Sequence, residues 1–131
     1  EELYFAYARP QENGYRTENR WMTLTNNEGN GLKIIGTPNF SFSAHYNSIE
    51  DFDAGKTKQG RHTADIKPID FVSVNIDYKQ MGVGGDNSWG DHTMEKYKLL
   101  EKKYNYSFWM KPLREKMSAI ELYKTNYKVL K

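Results

Sequence analysis

Residues 40–46, Phe-Ser-Phe-Ser-Ala-His-Tyr, alternate strictly between two sets of side chains. Only an extended strand puts every second side chain on one face. Phe40, Phe42, Ala44 and Tyr46 are therefore expected to face a core, with Ser41, Ser43 and His45 on the wetter side. Residues 69–78 repeat the pattern, with Val72, Val74, Ile76 and Tyr78 on one face and Phe71, Ser73, Asn75 and Asp77 on the other. Two such runs commit the chain to β-sheet. Asp77, on the partly wet face, reads as a solvated strand residue rather than a catalytic acid.

The rest of the chain fits that frame. Residues 3–8 read as a strand ended by Arg9-Pro10, because proline cannot donate to a ladder. Residues 9–20 are polar and charged, with Asn13-Gly14 as a turn signal. They read as a solvated loop, or as a charge network that pins a loop near a site. Residues 20–25 and 31–35 form a hairpin about Asn26-Asn27-Glu28-Gly29-Asn30, and Thr37-Pro38 is expected to break the sheet. Ser48 is placed as an N-cap, with Glu50 and Asp51 in the first turn of a short helix that carries Ile49 and Phe52 on one side. Gly55 should stop that helix, and residues 56–67 are a long connection. Residues 97–100 and 104–111 are expected to pair as a last hairpin, with Tyr104, Tyr106, Phe108 and Met110 facing in and Pro112 ending it.

Beyond Pro112 the period changes. Leu113, Met117, Ile120, Tyr123 and Tyr127 recur at spacings of three and four, a helical stripe suited to packing on a sheet. The expected fold is all-β: an antiparallel β-sandwich of about seven short strands with short helices. Its domains are a sandwich segment over residues 1–112 and a helical extension over 113–131.

Bulk properties exclude several function classes. With 131 residues the chain is long enough for one domain. A net charge of +2 from 19 basic and 17 acidic residues makes no case for nucleic acid or an anionic membrane. No apolar run reaches the length of a membrane span. The absence of cysteine removes disulfides and thiolate metal sites but leaves the compartment, cytoplasmic or periplasmic, open. The start at Glu1-Glu2, without an initiator Met or a leader-like run, reads as an excised or processed chain.

The stretch with the most functional content is residues 80–90, Gln-Met-Gly-Val-Gly-Gly-Asp-Asn-Ser-Trp-Gly. Four of these eleven residues are glycine. Gly84-Gly85 reads as a sharply shaped loop at the end of a strand, where binding residues tend to sit. The loop presents Trp89 beside Asp86, Asn87 and Ser88. An indole flanked by short polar groups suits a ligand with an apolar face and polar edges, such as a sugar ring. The plainer reading is that Trp89 plugs the end of a core. The glycines are not a nucleotide loop, since the G-x-G-x-x-G spacing and a following helix are both missing.

Catalytic machinery is not visible. His45, His62 and His92 are 17 and 30 residues apart and form no local ligand pair, so no metal site is expected. Ser88 lies in Asn-Ser-Trp-Gly rather than G-x-S-x-G. Glycoside hydrolysis needs two carboxyls at a set separation, and no pair stands out among the 17 acids. No catalytic residue is assigned to this chain.

Three separated motifs resemble a known family. They are residues 9–17 (Arg-Pro-Gln-Glu-Asn-Gly-Tyr-Arg-Thr), residues 40–44 (Phe-Ser-Phe-Ser-Ala) and, above all, residues 80–90. In this order they look like the C-terminal domain of the large bacterial lactose-type β-galactosidases of glycoside hydrolase family 2. The resemblance covers roughly residues 3–112 and does not extend to 113–131. It implies that the segment is half of a galactose-mutarotase-like supersandwich. It also implies retaining hydrolysis of terminal β-D-galactose, with both catalytic Glu residues on a TIM barrel that this chain lacks. Trp89 would then be an apolar platform at the mouth of the substrate site, mainly on the aglycone side. Asp86, Asn87 and Ser88 would hold the loop, and Arg9, Glu12, Asn13 and Arg16 would be structural or domain-interface residues. No cofactor is implied in this segment; Mg and Na, where full-length members use them, bind elsewhere. The implied partners are a β-galactoside and the barrel and other domains of the same enzyme, with a homo-oligomer as a further expectation. The fragment alone is expected to hydrolyse nothing and to self-associate through uncovered apolar surface. Two other readings are a free-standing carbohydrate-binding sandwich with Trp89 as its platform, and a mutarotase-like enzyme, for whose His and Glu no motif is present.

Overall fold

The structure is a computed structural model that describes residues 4–8, 13–53, 55–56, 62–82, 84–87 and 90–114. Among the described residues it has four strands: β1 (Arg16–Thr25), β2 (Gly31–His45), β3 (Ser73–Asp77) and β4 (Ser107–Leu113). One short helix, α1 (Ile49–Phe52), and two 3₁₀ turns complete it. The fold is all-β and mostly antiparallel, as the alternating patterns require. Two compact units are present: Glu18–Phe40 with Tyr78–Lys131, and Glu1–Thr17 with Ser41–Asp77. The strand β2 hydrogen-bonds to all three of the others.

In the first of these units, β1 and β2 are joined by the loop read from the sequence. Asn26 organises it: its side-chain oxygen accepts from the Glu28 and Asn30 amides at 3.0 and 2.9 Å. Its backbone exchanges bonds with Asn30 and Gly29. This is a side chain imitating a backbone turn. Residues 31–37 of β2 then pair antiparallel with β4, from Gly31↔Leu113 to Thr37↔Ser107. The core of this unit is Met22, Ile34, Ile35, Phe40 and Leu113. Phe40 is only 1% exposed, a burial that stabilises by about 1.5–3 kcal/mol. Lys33 is fully buried beside them, with its Nζ 4.8 Å from the centroid of the Trp21 ring. Burial pushes its ammonium below the ordinary lysine pKa.

The second unit pairs residues 41–45 of β2 with β3, from Ser41↔Asp77 to His45↔Ser73. Its interior is largely polar and hydrogen-bonded. The Asn13 side chain accepts from the Phe5 amide at 3.1 Å and donates to the Phe5 carbonyl at 2.5 Å. The His45 Nε2 lies 2.6 Å from the Asn13 carbonyl; a carbonyl only accepts, so Nε2 carries the proton. The His45 ring packs against Tyr4 and Phe52. Asn47 is buried, accepts from the Tyr4 hydroxyl and donates to the Lys67 carbonyl. Burial and the nearby Asp51 raise the Tyr4 pKa. Ser48 caps α1 as expected: its Oγ accepts from the Asp51 amide at 3.2 Å, and Asp51 accepts from the Ser48 amide at 2.8 Å.

Several expectations are corrected. Residues 4–8 form no strand; they are held through Asn13 and Tyr4 rather than a ladder. β1 begins at Arg16, within the segment expected to be loop. Thr37-Pro38 does not break β2: Pro38 falls in the gap between the stretch paired with β4 and the stretch paired with β3, so neither of those ladders requires its amide. In residues 40–46 the burial is reversed beyond Phe40. Ser41 and Ser43 are buried while Tyr46 is exposed, and the Ser43 hydroxyl accepts from Asn75 across the pair. β3 is only five residues long, and Val72 lies outside it, exposed. Residues 97–100 form no strand; β4 pairs with β2 instead, and Pro112 lies within it. Tyr104, Tyr106 and Met110 are exposed rather than facing in. Four strands, not seven, are present among the described residues. The helical extension expected over residues 113–131 lies almost wholly outside them: Leu113 ends β4, and description stops at residue 114.

Candidate functional site

The loop that follows β3 begins after Tyr78 and folds back on itself. Its base is closed by the Gly82 amide, which donates to the Tyr97 carbonyl at 2.8 Å. The approach is tight: a Cβ on Gly82 would stand 2.7 Å from both Thr93 Oγ1 and Tyr97 Cβ. Further out, a Cβ on Gly85 would meet the Asp91 side chain and carbonyl at 2.7 Å. At these two positions glycine is needed for close approach of chain to chain. Gly84 is needed for its conformation, with φ +82°, a region that costs other residues roughly 1–2 kcal/mol.

The polar residues divide accordingly. Asn87 donates from Nδ2 to the Asp91 carboxylate at 2.8 Å, a bond that spans the tip of the loop. Asp86 is exposed and makes no hydrogen bond among the described residues. Ser88 and Trp89 lie outside the described residues. The stems carry aromatic rings with lysines over them: Lys79 Nζ is 4.9 Å from the Tyr78 centroid, and Lys96 Nζ is 4.6 Å from that of Tyr97. Lys98 pairs with Glu95 beside them.

Sequence reading missed Asp91, Thr93 and Tyr97 as loop supports. A signal for Asp91 existed, an amide and a carboxylate four residues apart with Gly90 between them. Nothing local marked Thr93 or Tyr97, whose role is to be the surface that Gly82 touches. Among the described residues no group of three or more His, Asp or Glu side chains is placed to hold a metal ion. The three histidines are dispersed; His45 holds the Asn13 carbonyl, and His62 lies 3.8 Å from Asp65 on an exposed turn. Asp77 is half-buried on β3 near Tyr15. The Tyr15 hydroxyl is pushed up chiefly by burial, with Asp77 adding to the rise and Ser41 opposing it. What the loop offers chemically is a braced presentation surface, with amide and carboxylate groups fixed to each other across its tip.

Comparison with known proteins agrees with this region's motifs. The family model described as "Beta galactosidase small chain" matches residues 1–110. A β-galactosidase of Priestia megaterium is 40% identical over 108 residues, which is 82% of this chain and 10% of that protein. One of Pseudoalteromonas haloplanktis is 35% identical over 106 residues, 81% of this chain and 9% of that protein. One of Streptococcus thermophilus is 32% identical over 115 residues, 86% of this chain and 11% of that protein. The chain thus spans about a tenth of the length of the relatives it matches. On the extent of the family match and the level of identity, the chain belongs to the β-galactosidase small-chain family.

Proposed function

We propose that this chain is the C-terminal segment of a retaining β-galactosidase of glycoside hydrolase family 2, and that it completes the substrate site of the longer enzyme. Its loop carries Trp89 to the mouth of that site as an apolar platform for the β-galactoside, mainly on the aglycone side. The bond broken is that of a terminal β-D-galactose, by double displacement on a pair of Glu residues carried on a TIM barrel outside this chain. The segment is half of a mutarotase-like supersandwich, and its partners are the barrel and other domains of the enzyme, which assembles as a homo-oligomer. By itself the segment hydrolyses nothing.

The observation that carries this reading is the bracing of the loop. Gly82 against Tyr97 and Gly85 against Asp91 hold backbone to backbone on both sides of residue 89. A platform for a sugar ring must be positioned before substrate arrives, because ordering it on binding would reduce affinity. Membership of the β-galactosidase small-chain family supports a β-galactoside as the substrate class.

The test is kinetic. In the longer enzyme, kcat and KM are measured for lactose and for an aryl β-galactoside, with Trp89→Ala against wild type. A raised KM that differs between the two aglycones, with the fold retained, supports the platform. Unchanged kinetics would make the indole a structural plug. Hydrolysis by the pure 131-residue chain would overturn the division of labour, and Trp89-dependent lactose binding by it would favour a free-standing binding module.

A further inference from the structure

Among the described residues six apolar side chains are buried, while fifteen large apolar side chains are exposed. Single exposed apolar residues are ordinary, so only a cluster held in one place carries meaning. Residues 69–72, Ile-Asp-Phe-Val, form such a cluster. Ile69 is 37% exposed, Phe71 51% and Val72 42%. They lie just before β3 begins at Ser73. Tyr46, also exposed, is their neighbour from another part of the chain, because its carbonyl accepts from the Ile69 amide at 2.7 Å.

The segment is held at three points. The buried Asn47 donates from Nδ2 to the Lys67 carbonyl at 2.7 Å. The Ile69 amide is fixed to Tyr46, and Ser73 is fixed opposite His45 in the β2–β3 ladder. The chain bends at Asp70 and Phe71 between these points. The apolar side chains are thus presented to water by a braced backbone. Preordered aromatic and aliphatic anchors with polar groups at the rim are the anatomy of a protein interface.

The chemistry of the patch selects its occupant. Lys67 and Asp70 put one charge of each sign at its edge, which gives no field for an ion or a nucleic acid. Ile69, Phe71 and Val72 offer a ligand no side-chain donor or acceptor. The complementary surface is an apolar concavity of protein. The relatives indicate where that surface belongs. The matched segment is 10% and 9% of two of them, which leaves about nine tenths of each polypeptide outside it, and the family match includes all of residues 41–77.

We propose that residues 69–72, with Tyr46, are the anchor by which this segment docks into an apolar concavity on another part of the same, longer β-galactosidase polypeptide. The inference rests on the reading of the chain as a segment of that enzyme, and it names a surface through which the two are joined.

The test is carbene footprinting of the longer enzyme, read by peptide mass spectrometry as labelling in the native state relative to that in urea. Left uncovered, Phe71 should label at about half its unfolded level, as its 51% exposure requires. Docked, residues 69–72 should label roughly fivefold less than that, near the level of the buried Ile34 and Ile35, because interface cores pack as densely as interiors. Dilution of the enzyme to single chains should leave the protection in place. Labelling at the uncovered level would overturn the proposal. Protection lost on dilution would overturn it in favour of a second copy of the chain as the occupant. Lactose hydrolysis by the same preparation separates the two readings: an active enzyme with an open patch loses this inference alone, whereas absence of hydrolysis overturns the galactosidase reading on which it rests.

Discussion

The Asn87 side-chain amide donates to the Asp91 carboxylate at 2.8 Å, across the outer turn of the glycine loop. Both residues are exposed, so the bond contributes little to global stability. On the proposed reading, its role is to brace the loop that presents Trp89 to the sugar. Asn87→Ala and Asp91→Ala should each raise KM for lactose in the longer enzyme by roughly two- to fivefold, the equivalent of about 0.5–1 kcal/mol, with kcat little changed. The double variant should cost no more than either alone, because both remove the same bond. Additive losses would show that the two residues act separately.

Gly85 and Gly84 separate two kinds of glycine requirement. An added Cβ at Gly85 collides with the Asp91 backbone at 2.7–2.8 Å, whereas at Gly84 it meets open space and only the φ of +82° is unfavourable. Gly85→Ala should therefore displace the Asp91 turn and abolish the effect of a second Asn87→Ala change. Gly84→Ala should cost about 1 kcal/mol of local strain and leave that coupling intact. Backbone amide shifts of residues 85–93 by NMR would distinguish the two.

Asn47 is buried with all its described bonds inside the protein, to Tyr4 and Lys67. Asn47→Ala leaves a hydroxyl and a carbonyl without these partners, at about 1–3 kcal/mol each. The expected loss is about 2–4 kcal/mol in urea unfolding. Asn47→Asp keeps an acceptor for Tyr4 but loses the donor to Lys67, and should recover part of the stability. An unchanged midpoint for Asn47→Ala would mean that water replaces both bonds.

Lys33 predicts a pH dependence. Its folded pKa is lowered by burial from an ordinary 10.5. Between the lowered value and 10.5, the unfolded chain holds a proton at this site that the folded chain has released. Stability gains from this site as pH rises through that window, since the unfolded state binds more protons. Tyr4 and Tyr15 act in the opposite sense: raised from 10.0, they keep their protons in the folded state, and stability falls as pH climbs above 10. Subtracting the unfolding free energy of Lys33→Met from that of wild type isolates the lysine. The difference should move in favour of wild type as pH rises toward 10.5, and a flat difference would contradict the burial of an ionisable amine here.

Local chemistry was legible in the sequence wherever the forces involved are local. The Asn26–Asn30 turn, the Ser48–Asp51 cap and the period-two runs could be read directly, because their hydrogen bonds and side-chain directions are set within a few residues. The glycine loop was legible for the same reason, since missing Cβ atoms announce close approach. Tertiary structure alone decided what approaches. Tyr97 and Asp91 are the surfaces on which Gly82 and Gly85 close; Asp91 carries a local mark only of its pairing with Asn87, and Tyr97 carries none. It decided that β4 pairs with β2 rather than with its sequence neighbour. It also decided that Ser41, Ser43 and Lys33 are inside while Tyr106 and Met110 face water. Alternation divides a strand into two faces but does not say which one is covered. That depends on which segments arrive from far along the chain, and on whether a buried hydroxyl or ammonium finds a partner there.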